Sequence, residues 1–240
     1  MLKNLYEIFA ERWFKGGSIW VYSDPHFADT EMKHLRKNYI SDDEQVKRIN
    51  SKVGKNDTII FLGDICELNF IKKIHGYKVL IMGNHEKGAT NYKRVQYEIK
   101  PEDTHTVDWY DKNKSNLFKV KDKYYFNNHL FDEVYEGPLM VNDRLILSHE
   151  PIETLPKYMY NIHGHDHSNW FQSDHHMNVC AEHINYTPIN LLNLLKNGLL
   201  KNVDSIHRIT IDNATERKIK RQAKAKKEGH QDEVRNDTDQ

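Results

Sequence analysis

The sequence predicts a mixed α/β (α+β) fold, and three observations support that class. In the first half of the chain, short apolar runs alternate with amphipathic helical segments, an order typical of a sheet covered by helices. From Asn116 onward, short strand-like runs are separated by turn pairs, a pattern that favours antiparallel hairpins. A length of 240 residues and an apolar content of 38% suit one α/β domain with extensions.

Periodicity and capping residues predict the elements of the first half. A helix is expected over residues 2–14, where one apolar stripe ends at Gly16-Gly17. Ser41 and Glu44 form a capping box that opens a second helix, which continues to Gly54. Buried strands are predicted at 19–22, 58–62 and 77–82, and a further helix at 67–74.

The second half is predicted to hold short strands, one helix and a charged tail. The strands are expected at 117–120, 124–126, 139–141, 145–147, 159–162 and 177–180. Thr187-Pro188 is predicted to cap a helix that buries Leu191, Leu192 and Leu195. Residues 216–227 hold seven basic and one acidic residue, whereas 228–240 hold one basic and five acidic. We therefore predict a domain over 1–212 and a tail over 213–240 that is a frayed helix and then disordered.

Composition excludes several classes of protein. Lys+Arg 35 and Asp+Glu 35 cancel, so the chain is not a uniformly basic nucleic-acid coat. The longest apolar runs are four residues, far short of the ~20 that cross a bilayer, and the N-terminus lacks the apolar stretch of a secretory signal. Two cysteines suit a reducing compartment. The expected location is cytoplasmic, with no membrane partner.

Five polar clusters share one position, because each follows an apolar run. Each cluster alone is more often a turn, a helix cap or a core histidine. In open α/β sheets, however, ligands bind outside the carboxyl ends of the strands, so the five could converge on one edge. The clusters are Asp24 with His26, Gly63-Asp64, Gly83-Asn84-His85-Glu86, His149, and Gly164-His165-Asp166-His167.

Together the clusters supply donors for two divalent metal ions. A carboxylate such as Asp64 can bridge two cations, and neutral imidazoles fill the remaining positions. Nitrogen and oxygen donors without cysteine suit Mn²⁺, Fe or Zn²⁺. Two such ions about 3.5–4 Å apart activate a water and clamp an in-line displacement, so the expected substrate is a phosphate ester. The candidate ligands are Asp24, His26, Asp64, Asn84, His149, His165 and His167.

The five clusters, in this order, resemble the signature of the calcineurin-like metallophosphoesterases: D-x-H, G-D, G-N-H-[DE], a lone His and G-H-x-H. The match runs from Asp24 to His167, 144 residues or 60% of the chain. The resemblance implies a double β-sheet sandwich flanked by helices. It also implies that His85 lies beside the scissile phosphate, as donor to a phosphate oxygen or proton source for the leaving group, and is not a ligand.

The resemblance further implies how the ligands divide. The first metal would be held by Asp24, His26, Asp64 and His167. The second would be held by Asp64, Asn84, His149 and His165, with Asp64 as the bridge between the two.

One departure from the family signature narrows the expected class of substrate. Phosphoprotein phosphatases of this family continue the second motif as G-D-x-x-D-R-G, whereas this chain reads Gly63-Asp64-Ile65-Cys66-Glu67-Leu68-Asn69 and lacks the arginine. Glu67 keeps an acid three residues after Asp64 and is predicted to orient His85 by a carboxylate–imidazole hydrogen bond. Protein-phosphatase activity is therefore disfavoured. The length and compact motif spacing are more similar to small bacterial or phage-type phosphohydrolases.

The predicted function is a metal-dependent hydrolase of phosphoric esters. It would cleave a phosphodiester or nucleotide-like phosphate ester through a metal-bridging hydroxide. The alternatives are a broad phosphomonoesterase and a weakly active scaffold of the same fold that binds a protein partner. Retention of every ligand type and of His85 disfavours the scaffold. The basic half of the tail leaves nucleic-acid binding open, and an aromatic-rich stretch at 104–137 could stack a nucleobase.

Overall fold

The computed structural model describes residues 13–86, 92–98, 120–126, 130–204 and 206–236. The chain divides into two compact units, Met1–Val203 and Asp204–Gln240. The predicted helix over 2–14 lies outside the described residues except for its last two. The strand predicted at 117–120 lies outside them except for Val120.

Eleven strands and five helices are found in the described part of the chain. The strands are β1 (Ile19–Tyr22), β2 (Thr58–Phe61), β3 (Tyr77–Ile81), β4 (Tyr92–Glu98), β5 (Val120–Phe126), β6 (Glu133–Tyr135), β7 (Leu139–Met140), β8 (Leu145–Leu147), β9 (Tyr160–His163), β10 (His176–Asn178) and β11 (Ile189–Asn190). The helices are α1 (Met32–Leu35), α2 (Asp42–Asn50), a 3-10 helix (Leu68–Lys73), α3 (Leu191–Lys196) and α4 (Ile206–Asn236).

Two mixed sheets form the framework of the first unit. The first has the order β11-β1-β2-β3-β6, and the second has the order β10-β9-β8-β7. Strands β1, β2, β3 and β6 run parallel, as do β8, β9 and β10. Because parallel neighbours end at the same edge, each sheet gathers the carboxyl ends of several strands on one side.

The expected antiparallel pairing is confirmed for one pair of predicted strands, β7 with β8. β4, which was not predicted, pairs antiparallel with β5 in a separate two-stranded sheet, and β5 is one continuous strand where two, ending at 120 and beginning at 124, were predicted. The three-residue strand β6 was not predicted, and it joins the first sheet parallel to β3. β9 lies parallel to β8, since the connection over 148–159 is long enough for a crossover.

The first sheet is buried on both faces. On one face its side chains pack against Val46, Ile49 and Val53 of the α2 segment. On the other face they share an apolar cluster with residues of the second sheet, such as Leu147 and Ile162. This two-sided burial explains why β1, β2 and β3 read as continuous apolar runs.

One of the helix predictions needs correction. Ser41 caps α2 as predicted, accepting the Glu44 N–H at 3.3 Å. The helix predicted at 67–74 is confirmed, and it is a 3-10 helix over Leu68–Lys73. The helix near residue 190 is capped by Asn190, which accepts the Asn193 N–H, and not by Thr187-Pro188. The edge strand β11 occupies 189–190, so the helix begins later than predicted.

The later start of α3 also changes its buried side. Leu191 is buried, whereas Leu192 is 38% exposed, contrary to the prediction. Leu195 packs against the cluster shared by the two sheets. The helix therefore buries one stripe of its leucines and leaves the next residue in solvent.

In the second unit, one long helix accounts for the described residues after Asp204. α4 covers the basic block over 216–227 and the acidic block as far as Asn236, where the sequence predicted a frayed helix followed by disorder. The unit begins at Asp204, ahead of the predicted boundary at 213. Lys220 and Glu216 form an i,i+4 ion pair at 3.7 Å, and Ala, Lys, Gln and Glu favour helix. In the part of the chain that the structure describes, no helix combines the length and apolarity needed to cross a membrane.

Candidate metal centre

The structure brings all seven predicted ligands together. Asp24 and His26 follow β1, Asp64 follows β2, and Asn84 follows β3. His149 follows β8, and His165 and His167 follow β9. The carboxyl ends of parallel strands from both sheets thus supply the side chains, as the sequence predicted.

A first group of donors surrounds Asp24. The Asp24 Oδ1 atom lies 3.6 Å from His167 Nε2 and 3.8 Å from His26 Nε2. The two Nε2 atoms are 3.2 Å apart. We call Asp24, His26 and His167 the first group, and their ligand atoms all lie within 4.8 Å of one another.

A second group of donors lies around His149. Its Nε2 atom is 2.8 Å from Asn84 Oδ1 and 3.1 Å from His165 Nδ1. The Asn84 Oδ1 and His165 Nδ1 atoms are also 3.1 Å apart. We call Asn84, His149 and His165 the second group.

Asp64 lies between the two groups. Its Oδ2 atom is 3.6 Å from His26 Nε2 and 3.4 Å from His149 Nε2. Its other oxygen, Oδ1, accepts the backbone N–H of His85 at 3.0 Å. That hydrogen bond fixes the carboxylate so that one oxygen faces both groups, the geometry that a bridging ligand needs.

Three of the four candidate histidine ligands direct their ring protons away from the centre. The Nδ1 atom of His26 lies 3.2 Å from Asp29 Oδ2, that of His149 lies 2.7 Å from the Leu62 carbonyl oxygen, and that of His167 lies 2.6 Å from Glu182 Oε1. Carbonyl and carboxylate oxygens only accept, so each Nδ1 carries the proton and each Nε2 presents a lone pair. Three lone pairs therefore converge on carboxylate and amide oxygens, which are also acceptors.

A cation is the partner that satisfies this arrangement. Asp24 Oδ1 is buried without a hydrogen-bond partner among the described residues, and it faces the Nε2 atoms of the first group. A buried, unsatisfied carboxylate oxygen is costly unless a charge neutralises it. The residues present therefore fit a metal ion, and the donor set is nitrogen and oxygen.

The Asp24 carboxylate is held ionised. Burial raises its pKa, but the nearby rings of His26, His149 and His167 and the hydrogen bond from Ser23 outweigh that effect and lower the pKa well below its usual range. Its Oδ2 atom accepts from the Ser23 hydroxyl and from the His165 N–H at 2.9 Å. The carboxylate is thus oriented before any ion binds.

The loops that carry the ligands adopt an unusual backbone. Asp24, His26, Asp64 and His165 all have positive φ, between 46° and 64°, a left-handed conformation that costs free energy in residues with a side chain. Such residues cluster at functional sites because the surrounding structure holds them there. Four of the seven predicted ligands share this feature.

The glycines of the motifs allow these loops to approach one another. A Cβ atom on Gly63 would lie 2.6 Å from the Gly83 backbone and 2.7 Å from His149 Nδ1. A Cβ atom on Gly164 would overlap the side chains of Ser23 and Asp24. Only glycine fits where the strand ends meet so closely.

Glu86 joins the two loops that follow β2 and β3. Its buried carboxylate accepts the backbone N–H groups of Gly83, Asp64 and Ile65 at 2.7–2.8 Å. This role was not predicted, although Glu86 belongs to the Gly83-Asn84-His85-Glu86 cluster. Burial raises the pKa of Glu86, and the three N–H donors partly offset that shift.

A buried ion pair supports the first group from behind. Glu182, which holds His167 through Nδ1, lies 3.1 Å from Arg36 Nε. Arg36 Nη2 also donates to the Asp24 carbonyl oxygen at 2.6 Å. Burial lowers the pKa of His167, but the hydrogen bond with Glu182 and the charge of Asp24 raise it by more, so the net shift is upward. No sequence signal marked Asp29, Arg36 or Glu182 for these roles.

His85 lies at the mouth of the centre. Its side chain is 44% exposed, and its Nε2 atom is 3.9 Å from Asp64 Oδ2. Its ring contacts the His26 ring edge to face at a centroid distance of 4.9 Å. The ring of His85 is therefore accessible to solvent beside the two donor groups.

The predicted pairing of Glu67 with His85 is wrong. Glu67 Oε1 accepts the Asn69 N–H at 2.9 Å and caps the 3-10 helix. The neighbour of His85 Nδ1 is the Cys66 thiol, at 3.6 Å. A backbone N–H two residues ahead is an easier partner for the Glu67 carboxylate than a ring in another loop.

Two further groupings include a cysteine. They are His26 with Cys66 and His85, and His167 with Cys180 and Glu182. Burial and nearby carboxylates raise the pKa of Cys66 to about 12 and that of Cys180 well above its usual range. Since the thiolate is the form that ligates metals, the nitrogen and oxygen donors around Asp64 are the better site.

The comparisons with known proteins add one distant structural likeness. The chain matches no known protein family and no curated protein. Among solved structures, it is similar to AQ665, a protein of unknown function from Aquifex aeolicus, with 17% identity and a TM-score of 0.46. The similarity covers 75% of this chain and 98% of that chain. The functional assignment therefore depends on the geometry of the site: residue groups that could hold metal ions lie where strands of both sheets end.

Proposed function

We propose that this protein is a dinuclear metal-dependent phosphoesterase that hydrolyses a phosphodiester or nucleotide-like phosphate ester. The observation that carries the proposal is the convergence of histidine Nε2 lone pairs on both sides of Asp64 Oδ2, at 3.6 Å and 3.4 Å. Two nearly symmetric sets of donors that share one carboxylate oxygen suit two ions at close spacing.

The order of the motifs and the packing of the sheets support membership of the calcineurin-like metallophosphoesterases. All five motif elements supply side chains to one centre, and the two sheets share an apolar cluster. A double-sheet sandwich with the site at one edge is the fold that this family would require. The proposed division of ligands is the one the motifs imply, with Asp64 common to both metals.

Two divalent ions are the proposed cofactors, and Mn, Fe and Zn all suit the donors. When bound, such ions supply Lewis acidity and lower the pKa of water. The first ion would be held by the first group and Asp64, and the second by the second group and Asp64. Asp29, Glu182 and the Leu62 carbonyl oxygen keep the histidine rings in the ligating tautomer.

His85 is proposed as the residue that acts on the substrate directly. In the reaction, a water oxygen bonds to phosphorus, the bond from phosphorus to the ester oxygen breaks, and the departing oxygen takes a proton. The exposed ring of His85, near Asp64 Oδ2, is placed to donate a hydrogen bond to a phosphate oxygen or to supply that proton. Glu67 is not proposed as its partner, since the structure places that carboxylate on Asn69.

The preference for a diester rests on the missing arginine of the second motif. The aromatic-rich stretch at 104–137 lies largely outside the described residues. A broad phosphomonoesterase is therefore the alternative that the experiment must separate.

A matched panel of nitrophenyl monoesters and diesters, assayed with Mn²⁺ and with excess chelator, tests the proposal. We expect turnover with Mn²⁺, loss of turnover in chelator, and a higher kcat/KM for the diester. A hundredfold preference for the monoester would favour the alternative. Full activity in excess chelator would overturn the metal-dependent mechanism.

A further inference from the structure

The long helix α4 exposes a stripe of positive charge. Arg217, Lys220, Arg221 and Lys224 are spaced i, i+3, i+4 and i+7 along the helix, so they lie on one face of it. All four residues are exposed, and we call them the basic stripe. At a rise of 1.5 Å per residue, the basic stripe extends about 10 Å along the helix axis.

The neighbouring acids leave the charge of the basic stripe in place. At 3.6 residues per turn, Asp212 falls on the other side of the helix. Glu216 borders the stripe and lies 3.7 Å from Lys220 Nζ, with side chains that are 68% and 80% exposed. Ion pairs between exposed side chains contribute little free energy, so a phosphate can replace Glu216. The acidic block over 228–240 then confines the positive charge to this stretch.

The helix around the basic stripe is open to solvent on every side. Each residue from 210 to 224 is exposed, a stretch of about four turns. A helix with its side chains is about 10–12 Å across, and the major groove of B-DNA, about 12 Å wide, admits an α-helix. Duplex DNA carries one negative charge per about 1.7 Å of its axis. A stripe of this length would therefore meet several phosphates at the edge of the groove.

The composition of α4 disfavours other anionic partners. Proteins bind single strands by stacking the bases on aromatic side chains, and the sequence of α4 contains no Phe, Tyr or Trp. The deep, narrow major groove of duplex RNA does not admit side chains. A helix on a membrane surface needs a broad apolar face, whereas Ile211 and Ile219 are the exposed large apolar residues among the described side chains of α4. Duplex DNA is the partner that fits this helix best.

We infer that α4 binds duplex DNA through contacts between the basic stripe and the phosphates. Phosphate contacts carry no information about the bases, so the binding is independent of sequence. The inference goes beyond the proposed phosphoesterase, because the basic stripe supplies none of the candidate ligands and the binding requires no hydrolysis.

Fluorescence anisotropy of a labelled DNA duplex tests the inference on the full chain. With four phosphate contacts, the logarithm of the affinity should fall with the logarithm of the salt concentration at a slope of about −3.6, or about 150-fold between about 50 and 200 mM salt. One strand of the same sequence, the corresponding RNA duplex and phosphatidylserine vesicles serve as unlabelled competitors at equal phosphate concentration. We expect each to compete less well than unlabelled DNA duplex. Equal or better competition by any of the three would overturn the choice of duplex DNA.

A charge-neutral variant locates the binding on the helix. The triple variant Arg217→Gln, Lys220→Gln, Arg221→Gln removes three contacts, and glutamine favours helix about as well as lysine and arginine. We expect the salt slope to change to about −1 and the affinity at low salt to fall about tenfold or more. If circular dichroism shows that the triple variant loses helix, the single variant Arg221→Gln decides, with an expected change in slope of about 0.9.

A matched control removes the same charge from the first unit. Lys52, Lys55 and Lys157 are exposed lysines of that unit. Their replacement by glutamine should leave both the salt slope and the affinity for the duplex within about twofold of the unaltered chain, because they make no phosphate contact. Equal weakening by this control and by the triple variant would show that net charge alone attracts the duplex, and it would overturn the assignment to the basic stripe.

The outcomes separate this inference from the proposed function. Hydrolysis of nitrophenyl esters by a protein that does not bind the duplex overturns the inference and supports the phosphoesterase. Binding of the duplex by a protein that hydrolyses no ester with Mn²⁺ supports the inference and contradicts the phosphoesterase. Unchanged binding in a triple variant with native circular dichroism shows that another part of the molecule holds the duplex, and it overturns the assignment to the basic stripe.

Discussion

The two donor groups on either side of Asp64 differ in charge and in exposure. The first group contains a buried carboxylate, Asp24, and the second contains the neutral amide Asn84 in its place. His26 and His167 are supported by carboxylates, whereas His149 is supported by a backbone carbonyl oxygen. Asn84 and His165 are exposed to solvent.

This difference indicates which of the two groups should bind its ion more tightly. A carboxylate behind a histidine raises the basicity of the ligating nitrogen, and the first group adds the negative charge of Asp24. The second group shares only the charge of Asp64 and is open to water. We therefore expect the ion of the first group to dissociate more slowly and that of the second to exchange readily.

Asp64→Asn should weaken metal binding by both groups at once, because it neutralises the one candidate ligand that they share. We expect loss of both ions and a fall in kcat/KM on the order of 10³-fold or more, beyond the 10–100-fold typical of residues behind the ligands. Metal content by mass spectrometry and turnover would be measured together. Asp174→Asn, an exposed acid, is the control. Retention of both ions in Asp64→Asn would argue against the bridge.

His85→Ala should leave the two groups intact and still lower the rate. Positioned proton transfer contributes typically 10²–10⁴-fold, so we expect kcat to fall within that range while both ions and substrate affinity are kept. The loss should shrink for a leaving group that needs no proton. The control is His75→Ala, which alters an exposed histidine. His75 precedes β3 and lies at the end of that strand opposite the site. Loss of metal from His85→Ala with unchanged rate per ion would make His85 a ligand.

Glu182→Gln should lower the metal affinity of the first group only. Its carboxylate lies 2.6 Å from His167 Nδ1, and the amide lowers the basicity of that ring. We expect the affinity of the first group to fall about 10–100-fold and that of the second to stay the same. Competition with a chelator of known affinity measures both. Glu31→Gln, on an exposed residue, should change neither, and equal weakening of both groups would contradict their separate support.

Removal of residues 213–240 should have the smallest effect. These residues belong to the second unit and supply none of the donors described above. We expect kcat on a small ester to stay within about threefold of the full chain, since charge-segregated segments of this kind add little to a packed core. Loss of activity in a truncated protein whose circular dichroism is otherwise native would assign the tail to the site.

The convergence of the candidate ligands could be predicted from the sequence because each follows an apolar run. Strands β1, β2 and β3 are buried on both faces, so their sequences are continuous apolar runs that are easily recognised as strands. Because these strands are parallel, Asp24, Asp64 and Asn84 lie at one edge of the sheet. The types of the residues then indicate the chemistry.

The residues behind the ligands could not be predicted, because tertiary contacts alone define them. Glu182 lies fifteen positions after His167, and no local motif connects the two. The Glu67 prediction failed because the chain forms a 3-10 helix whose first N–H groups need an acceptor. The cap of α3 was misplaced because the edge strand β11 pairs with β1 before the helix begins.

Stepwise removal of metal tests directly whether the two groups hold two ions of different affinity. Protein purified without chelator would be loaded with Mn²⁺ and dialysed against increasing chelator, with ions per chain and turnover measured at each step. We expect two ions per chain at the start. One should be lost at a lower chelator concentration, together with most of the activity. The other should be lost only at a higher concentration, which Glu182→Gln should lower. One ion per chain or fewer at saturation, or full turnover by metal-free protein, would contradict a dinuclear centre.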